Sequence, residues 1–491
     1  MLSTSSRSLK RSYVATESSK LQAFVNDEIL NNELENAKEP DNQAFRDILD
    51  KSLSIQSLSP GELASLIKIN DPERWAEMFK TAAAIKQKVY DHRIVMFAPL
   101  YCSNKCINNC LYCGFRSDNH HLLRKQLSLK EIEEETRHLA GVIGHKRLIM
   151  VFGEHPDSDI DYILDSMKTV YQVSVPARIG KGSIRRVNIN AAPMTVEDLG
   201  RLHQAGIGTY QVFQETYHQE TYRKLHPENT LKGFFNWRLF SMHRAMEAGI
   251  DDVGIGALFG LYNWRFELLG LLSHAIELEA EFGIGPHTVS FPRMEYATEA
   301  PFSVQSPFRV SDEDFRKIVI LLRLAIPYAG MIITARERPY IIRSLYPVVT
   351  QRDASSCIEI GGYHLEKKQQ EREQQQFELG DTRSLDEVIA ELGQQGYITS
   401  FCTAGYRCGR TGDHIMGLLK SGKESCFCKL NAVLTYREWL DDFASPETKR
   451  IGEIVIKKEM DEIMKTMPAG LTSKTMEYYN RIASGERDLF I

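Results

Sequence analysis

Cys106, Cys110 and Cys113 lie in Tyr101-Cys-Ser-Asn-Lys-Cys106-Ile-Asn-Asn-Cys110-Leu-Tyr-Cys113-Gly-Phe115, directly after an apolar run. Iron–sulfur cubes are normally held by four thiolates. Three thiolates in one tight loop, spaced C-x-x-x-C-x-x-C with an aromatic residue before the last, would bind three irons of a 4Fe–4S cube and leave the fourth iron open. Zinc is the competing chemistry, but it favours four ligands, commonly in C-x-x-C pairs. Cys102 stands four residues before Cys106 and offers a second register. Only the 106/110/113 set carries the aromatic-Cys ending, so Cys102 is expected to be a non-ligand.

Such a loop needs a strand to carry it. Short β-rich segments recur near 93–99, 147–153, 184–190, 208–213, 252–258, 287–292, 330–335 and 357–361, with amphipathic stretches at 129–141, 159–171, 195–205, 235–248, 266–282 and 312–325. Alternating strand and helix with buried strands means a parallel sheet. Eight units predict an α/β fold with a closed (βα)8 TIM-type barrel over 91–364; a partial barrel of six units is the alternative. Residues 21–90 and 385–491 read as helical extensions. Residues 365–384, dominated by Gln, Glu and Lys, read as an exposed polar connection without a site.

Loops that follow barrel strands gather at the C-terminal face. Gly153, Glu154, Asn188, Asn190, Gln214 and Glu215 are thereby expected beside the cysteine loop. A cube with one open iron resembles that of the radical S-adenosylmethionine (SAM) enzymes, in which SAM is the missing ligand. These residues are then candidates for the amino, carboxylate and ribose groups of SAM, and Tyr112 for packing against its adenine. The glycines at 206/208 and 254/256 do not complete G-x-G-x-x-G, so no dinucleotide site is expected.

The chain has 491 residues, 43% hydrophobic and 25% charged, with a net charge of -5. This composition suits a large globular protein without the basic footprint of a nucleic-acid binder. No stretch of about 18 apolar residues predicts a membrane span. Nine cysteines, several clustered, fit reduced, metal-ligating thiols better than a secreted disulfide framework. Within residues 1–20, Arg7, Lys10, Arg11 and Lys20 face one acid, Glu17, in a Ser-rich context. That predicts an organellar transit peptide (hydrogenosome, mitochondrion or plastid), with a cytoplasmic protein as the alternative.

A second set of cysteines lies in Phe401-Cys402-Thr-Ala-Gly405-Tyr-Arg-Cys408-Gly-Arg-Thr-Gly412 and Glu424-Ser-Cys426-Phe-Cys428. Together with Phe97-Ala-Pro-Leu-Tyr101, Gly182-Ser-Ile-Arg-Arg-Val-Asn188, Phe213-Gln-Glu-Thr-Tyr217, Asp251-Asp-Val-Gly254, Gly285-Pro-His-Thr288 and Gly485-Glu-Arg-Asp-Leu489, the chain resembles the HydG family from about residue 25 to its end. Those tyrosine lyases mature FeFe-hydrogenase. The resemblance implies reductive cleavage of SAM on the first cluster, hydrogen abstraction from the amino group of L-tyrosine, and fragmentation to p-cresol and dehydroglycine. It also implies a second cluster at the far end of the barrel, held by C-x-x-C-x22-C, where dehydroglycine yields carbon monoxide and cyanide. Cys402 and Cys428 match that pattern, but Gly405 replaces the middle cysteine. Cys408 is the candidate substitute; Cys426 is a weaker one.

By the same resemblance, His287 is the candidate ligand of an extra iron, with His274 behind it. Arg336 and Thr334 are candidates for holding the tyrosine carboxylate in a two-pronged pair. Cys357 is expected to be buried and not a ligand. The implied partners are a reductant such as ferredoxin and hydrogenase maturation proteins. Two rival readings are a 2-iminoacetate synthase without a second cluster, which the missing cysteine favours, and a non-catalytic iron–sulfur scaffold.

Overall fold

The computed structural model describes residues 4–364, 374–408, 412, 417–418 and 424–491. Eight parallel strands form the barrel: β1 Arg93–Ser103, β2 Arg147–Phe152, β3 Arg186–Asn190, β4 Tyr210–Gln211, β5 Val253–Gly256, β6 Thr288–Ser290, β7 Gly330–Ile333 and β8 Gln351–Asp353. They pair in sequence order, and β8 closes on β1 with Val95 opposite Gln351 and Phe97 opposite Asp353.

The period of two along β1 sorts its side chains. Ile94, Met96, Ala98, Leu100 and Cys102 turn outward into the core beneath the helices, while Phe97, Pro99 and Tyr101 face the lumen. Burying each large apolar side chain contributes roughly 1.5–3 kcal/mol, so this alternation fixes which residues reach the mouth. The same alternation sends Arg186, Asn188 and Asn190 up the lumen side of β3, with Val187 and Ile189 in the core. Between strands lie helices such as Leu129–His138, started by a Ser128/Glu131 capping box, and Ile160–Gln172 and Asp312–Ala325, capped by Asp159 and Ser311.

Three features differ from expectation. The eighth strand is Gln351–Asp353, not 357–361; the latter stretch is a buried turn in which the Tyr363 hydroxyl accepts from Cys357 N–H at 3.0 Å and donates to Pro99 O at 2.7 Å. The second half of the polar connection is not an exposed linker, because Gln375 and Asp381 are buried there; residues 365–373 lie outside the described residues. The C-terminal unit contributes a ninth strand, β9 Ile398–Ser400, which pairs with β1 from Arg93 to Val95. Because β8 occupies the other edge of Val95, β9 extends the β2 side at the bottom of the barrel.

The N-terminal helices Asp27–Asn36, Asn42–Leu53, Pro60–Ile67 and Pro72–Tyr90 pack on the outside; Leu58 N–H donates to Ala325 O at 3.0 Å, for example. The helix Thr4–Lys20, within the stretch read as a targeting segment, is docked on the barrel: Val14 is buried with Leu231 and Trp237. The C-terminal helices Glu424–Asp442, Pro446–Thr466 and Ala469–Ala483 cover the bottom. Buried Glu438 pins them by pairing its charge with Lys146 at 3.3 Å and Arg185 at 2.8 Å. No helix among the described residues is long and apolar enough to cross a membrane.

Candidate active site

The cysteine loop leaves β1 at the C-terminal face and is held from below by the end of β2. Gly153 N–H donates to Ser103 O at 2.9 Å and Ile107 N–H to Glu154 O at 2.8 Å. A Cβ on Gly153 would stand 2.3 Å from Lys105 O, so only glycine lets the two loops meet. Asn108 links three loops: its Nδ2 donates to Glu154 Oε2 at 2.6 Å and its Oδ1 accepts Lys232 N–H at 3.0 Å. Burial pushes the Cys106 thiol up to about 11 and the Cys110 thiol to about 12, with neighbouring Cys113 adding to both. Thiols placed this way stay protonated unless positive metal draws off the protons. Among the described residues no three such side chains converge on one ion; a cube instead needs thiolates spaced so that each meets its own iron. Cys106, Cys110 and Cys113 lie close enough to act on one another electrostatically and would hold such a cluster, which when bound with SAM would supply a carbon-centred radical. Cys102 points away into the core, as expected of a non-ligand.

Above the loop opens a cavity of about 180 Å³ lined by Tyr101, Tyr112, Cys113, Asn190, Phe213, Glu215, Lys232, Arg238, Met294, Thr334, Arg336, Asp353, Gln376 and Phe377, among others. Glu215 sits there at a left-handed φ of 73°. Lys232 at 2.7 Å and Arg238 at 3.2 Å hold its carboxylate ionised against the opposing effect of burial. Tyr112 is pinned by a 2.7 Å hydrogen bond to the His226 ring, and Lys232 lies 5.6 Å from its ring centroid.

Arg336 is half-buried, desolvation lowers its pKa, and it makes no ion pair or hydrogen bond among the described residues; Tyr101, Glu215 and Glu295 act on it only through space. Its guanidinium lies 3.3 Å from the Phe377 ring centroid. Thr334 Oγ1 beside it is buried without a partner. A cation and a hydroxyl, both unpartnered and both facing one cavity, suit a carboxylate ligand.

The structure thus brings Cys106, Cys110, Cys113, Tyr112, Asn190, Glu215, Thr334 and Arg336 together, with Gly153 and Glu154 beneath them. Asn188 is not at the cavity: its Oδ1 accepts Thr209 N–H at 2.9 Å, lower in the lumen. Gln214 is buried with both amide atoms unpartnered and does not line the cavity. Lys232, Arg238, Gln376 and Phe377 escaped the sequence reading. The first two lie in a motif-free connection after β4, and the last two in the run taken for linker.

At the other end of the lumen, Cys402 follows β9 with φ 47° and, with Gly405, Cys428 and Arg93, lines a small cavity of about 20 Å³. Arg186 bridges this end, pairing with Asp252, donating to Thr209 Oγ1 at 3.0 Å and approaching Cys402 Sγ at 4.0 Å. His287 shares it, kept largely neutral by burial although Asp252 opposes that effect. Cys408 ends a short turn, is exposed, and does not line the cavity; Cys426 does not line it either. Among the described residues, two thiols and a glycine do not fit a cube held by three protein thiolates. His274 is elsewhere, in the outer layer, with Nδ1 2.9 Å from the Tyr217 hydroxyl.

Comparison with known proteins agrees with this geometry. Residues 100–267 match the Radical SAM superfamily, and 290–398 the Biotin and Thiamin Synthesis associated domain. The 2-iminoacetate synthase of Salmonella typhimurium is 28% identical over 71% of this chain and 88% of its own. The [FeFe] hydrogenase maturase subunit HydE of Thermotoga maritima is 30% identical over 49% of this chain and 65% of its own. A crystal structure of HydG, a maturase of the [FeFe]-hydrogenase, superimposes with a TM-score of 0.89 at 43% identity, covering 95% of this chain and all of that one. HydG from Carboxydothermus hydrogenoformans gives 0.74 at 35%, covering 95% and 99%. Alike to those structures over nearly its whole length, at up to 43% identity, and matched by the Radical SAM superfamily, the chain belongs to the HydG family of radical SAM enzymes.

Proposed function

We propose that the protein cleaves the Cα–Cβ bond of L-tyrosine to p-cresol and dehydroglycine. The observation that carries this reading is Arg336, half-buried and without an ion pair among the described residues, beside the unpartnered Thr334 hydroxyl, within the cavity that Cys113 also lines. Arg336 binds the substrate carboxylate and Thr334 donates to it. The apolar walls around Phe213 and Met294 exclude water from the reacting carbon. Glu215, kept ionised by Lys232 and Arg238, accepts from ammonium or hydroxyl groups of the bound SAM; Tyr112 offers its ring.

Gly405 favours a second reading for the later step: the protein releases dehydroglycine, the activity that the name 2-iminoacetate synthase describes in its relative, and does not convert it to carbon monoxide and cyanide. The maturation role of HydG, with maturation proteins and a ferredoxin-like reductant as partners, is the reading that family membership supports. An organellar address rests on the composition of residues 1–20 alone. Anaerobically reconstituted protein given SAM, a reductant and tyrosine tests both steps. p-Cresol with carbon monoxide supports the full maturase; p-cresol alone supports the shorter reaction; neither product refutes the lyase.

A further inference from the structure

Gln374 to Leu379 run across the barrel mouth and are fastened at both ends. Gly114 N–H donates to Gln376 O at 3.1 Å and Leu123 N–H to Gln374 Oε1 at 2.9 Å, on the β1 loop. Glu378 N–H donates to Tyr296 O at 3.0 Å, and Gly380 N–H to Ala335 O at 2.8 Å, on the loops after β6 and β7. A Cβ on Gly114 would stand 2.6 Å from Gln376 O, so glycine beside the last cluster cysteine is what lets the segment come this close. The Gln376 Oε1 accepts from the Tyr101 hydroxyl at 3.0 Å, and its Nε2 donates to Cys113 Sγ at 3.6 Å; a sulfur that is a thiolate bound to iron can only accept, which keeps the amide nitrogen on that side. The next residue, Phe377, is the face on which Arg336 lies.

We propose that Gln376 and Phe377 are positioning residues of the first site, in one strap that ties the cluster to the substrate cation: Gln376 sets the cluster's reduction potential through Cys113, and Phe377 holds Arg336 in place. The role of Phe377 rests on the lyase reading above, whereas that of Gln376 needs only the cluster. An N–H donated to a cluster sulfur favours the reduced, more negative state and raises its potential. Tyr101 and Gly114 keep the donor in place without substrate, so the effect belongs to the resting enzyme.

The test is a redox titration of the reconstituted full-length protein, followed by the electron paramagnetic resonance signal of the reduced cube, at equal iron and sulfide content. Gln376→Leu removes the donor and keeps the strap's backbone bonds. At a fixed poise it should lower the ratio of reduced to oxidised cluster about tenfold, a midpoint shift of about 59 mV to the negative for a one-electron couple. Gln376→Asn, whose shorter amide falls short of the sulfur, should shift the same way and serves if the Leu variant assembles poorly. Phe377→Leu should leave the midpoint in place and raise KM for tyrosine about tenfold, with Phe377→Tyr restoring it. A midpoint unmoved in both Gln376 variants, or a KM unmoved in Phe377→Leu, overturns the proposal. A wild-type protein that takes up no cube overturns the reading of the first site instead, and the two failures are told apart by iron content.

Discussion

Replacing Arg336 by lysine keeps the charge and removes the planar two-pronged donor. The guanidinium is half-buried, unpaired among the described residues, and lies over the Phe377 ring. Its desolvation is therefore incurred before substrate arrives, and the lost interaction reads out directly in kcat/KM. One hydrogen bond to a charged group contributes about 1.5–3 kcal/mol and every 1.4 kcal/mol is tenfold, so Arg336→Lys should lower kcat/KM for tyrosine by roughly 10- to 150-fold. Arg336→Ala leaves the carboxylate buried with no partner, a loss of about 3–5 kcal/mol or roughly 150- to 4,000-fold. The assay is the anaerobic initial rate of p-cresol formation against tyrosine concentration, with cluster content matched by iron and sulfide analysis. Most of the loss in the lysine variant should appear in KM, because the contact is made in the ground state as well. A lysine variant with the kcat/KM of the parent, at full cluster content, would refute the assignment of Arg336 to the substrate carboxylate.

Cys110→Ala removes one thiolate of the first cube and should abolish 5′-deoxyadenosine formation; persistence of that product would sink the cluster assignment. Cys408→Ser should leave iron content unchanged, since Cys408 is exposed and outside the cavity, whereas Gly405→Cys should add about one cluster's iron. An iron loss in the first or no gain in the second would mean that the far site is assembled differently. Glu267, buried against Thr216 and Tyr217, has its carboxyl pushed to about 8 from 4.5; it stays protonated in the folded protein while the unfolded chain ionises, so stability falls as pH rises from about 4.5 to 8. Glu267→Gln should flatten that fall, by under about 5 kcal/mol at pH 8; parallel declines of the unfolding midpoints of parent and variant between pH 5 and 8 would contradict it.

The barrel was legible because seven of its strands fall on short β-rich segments that alternate with amphipathic stretches. The eighth failed for a physical reason: Gln351-Arg-Asp353 is polar, and it is a strand because β1 and β7 bond its backbone while Arg352 finds Asp381 at 3.1 Å and the Tyr346 hydroxyl at 2.7 Å. A search for apolar runs passes over such a strand and settles on Ile358 and Ile360 nearby. The cluster loop was visible through residue type and spacing, whereas Arg336 was singled out only through the family resemblance. Asn188 was not separable from Asn190, since both face the lumen and only their height differs. Gln376 was hidden because a glutamine in a polar run carries no signal until tertiary contacts select it.

The pairing of β9 with the first strand of the barrel bears on how the chain is made. The lower edge of β1 is completed by a partner roughly 300 residues downstream, and pairings at such separation form late and slowly. On the ribosome, β1 therefore emerges with an open edge, and that edge is closed only after the C-terminal unit has left the exit tunnel. A chain truncated after the barrel would present a bare strand end to its neighbours. Synthesis and the closing of the far cavity are in this way ordered by the topology: that cavity, bounded by Arg93 at the start of β1 and by Cys402 and Cys428, cannot exist before Cys428 has been made.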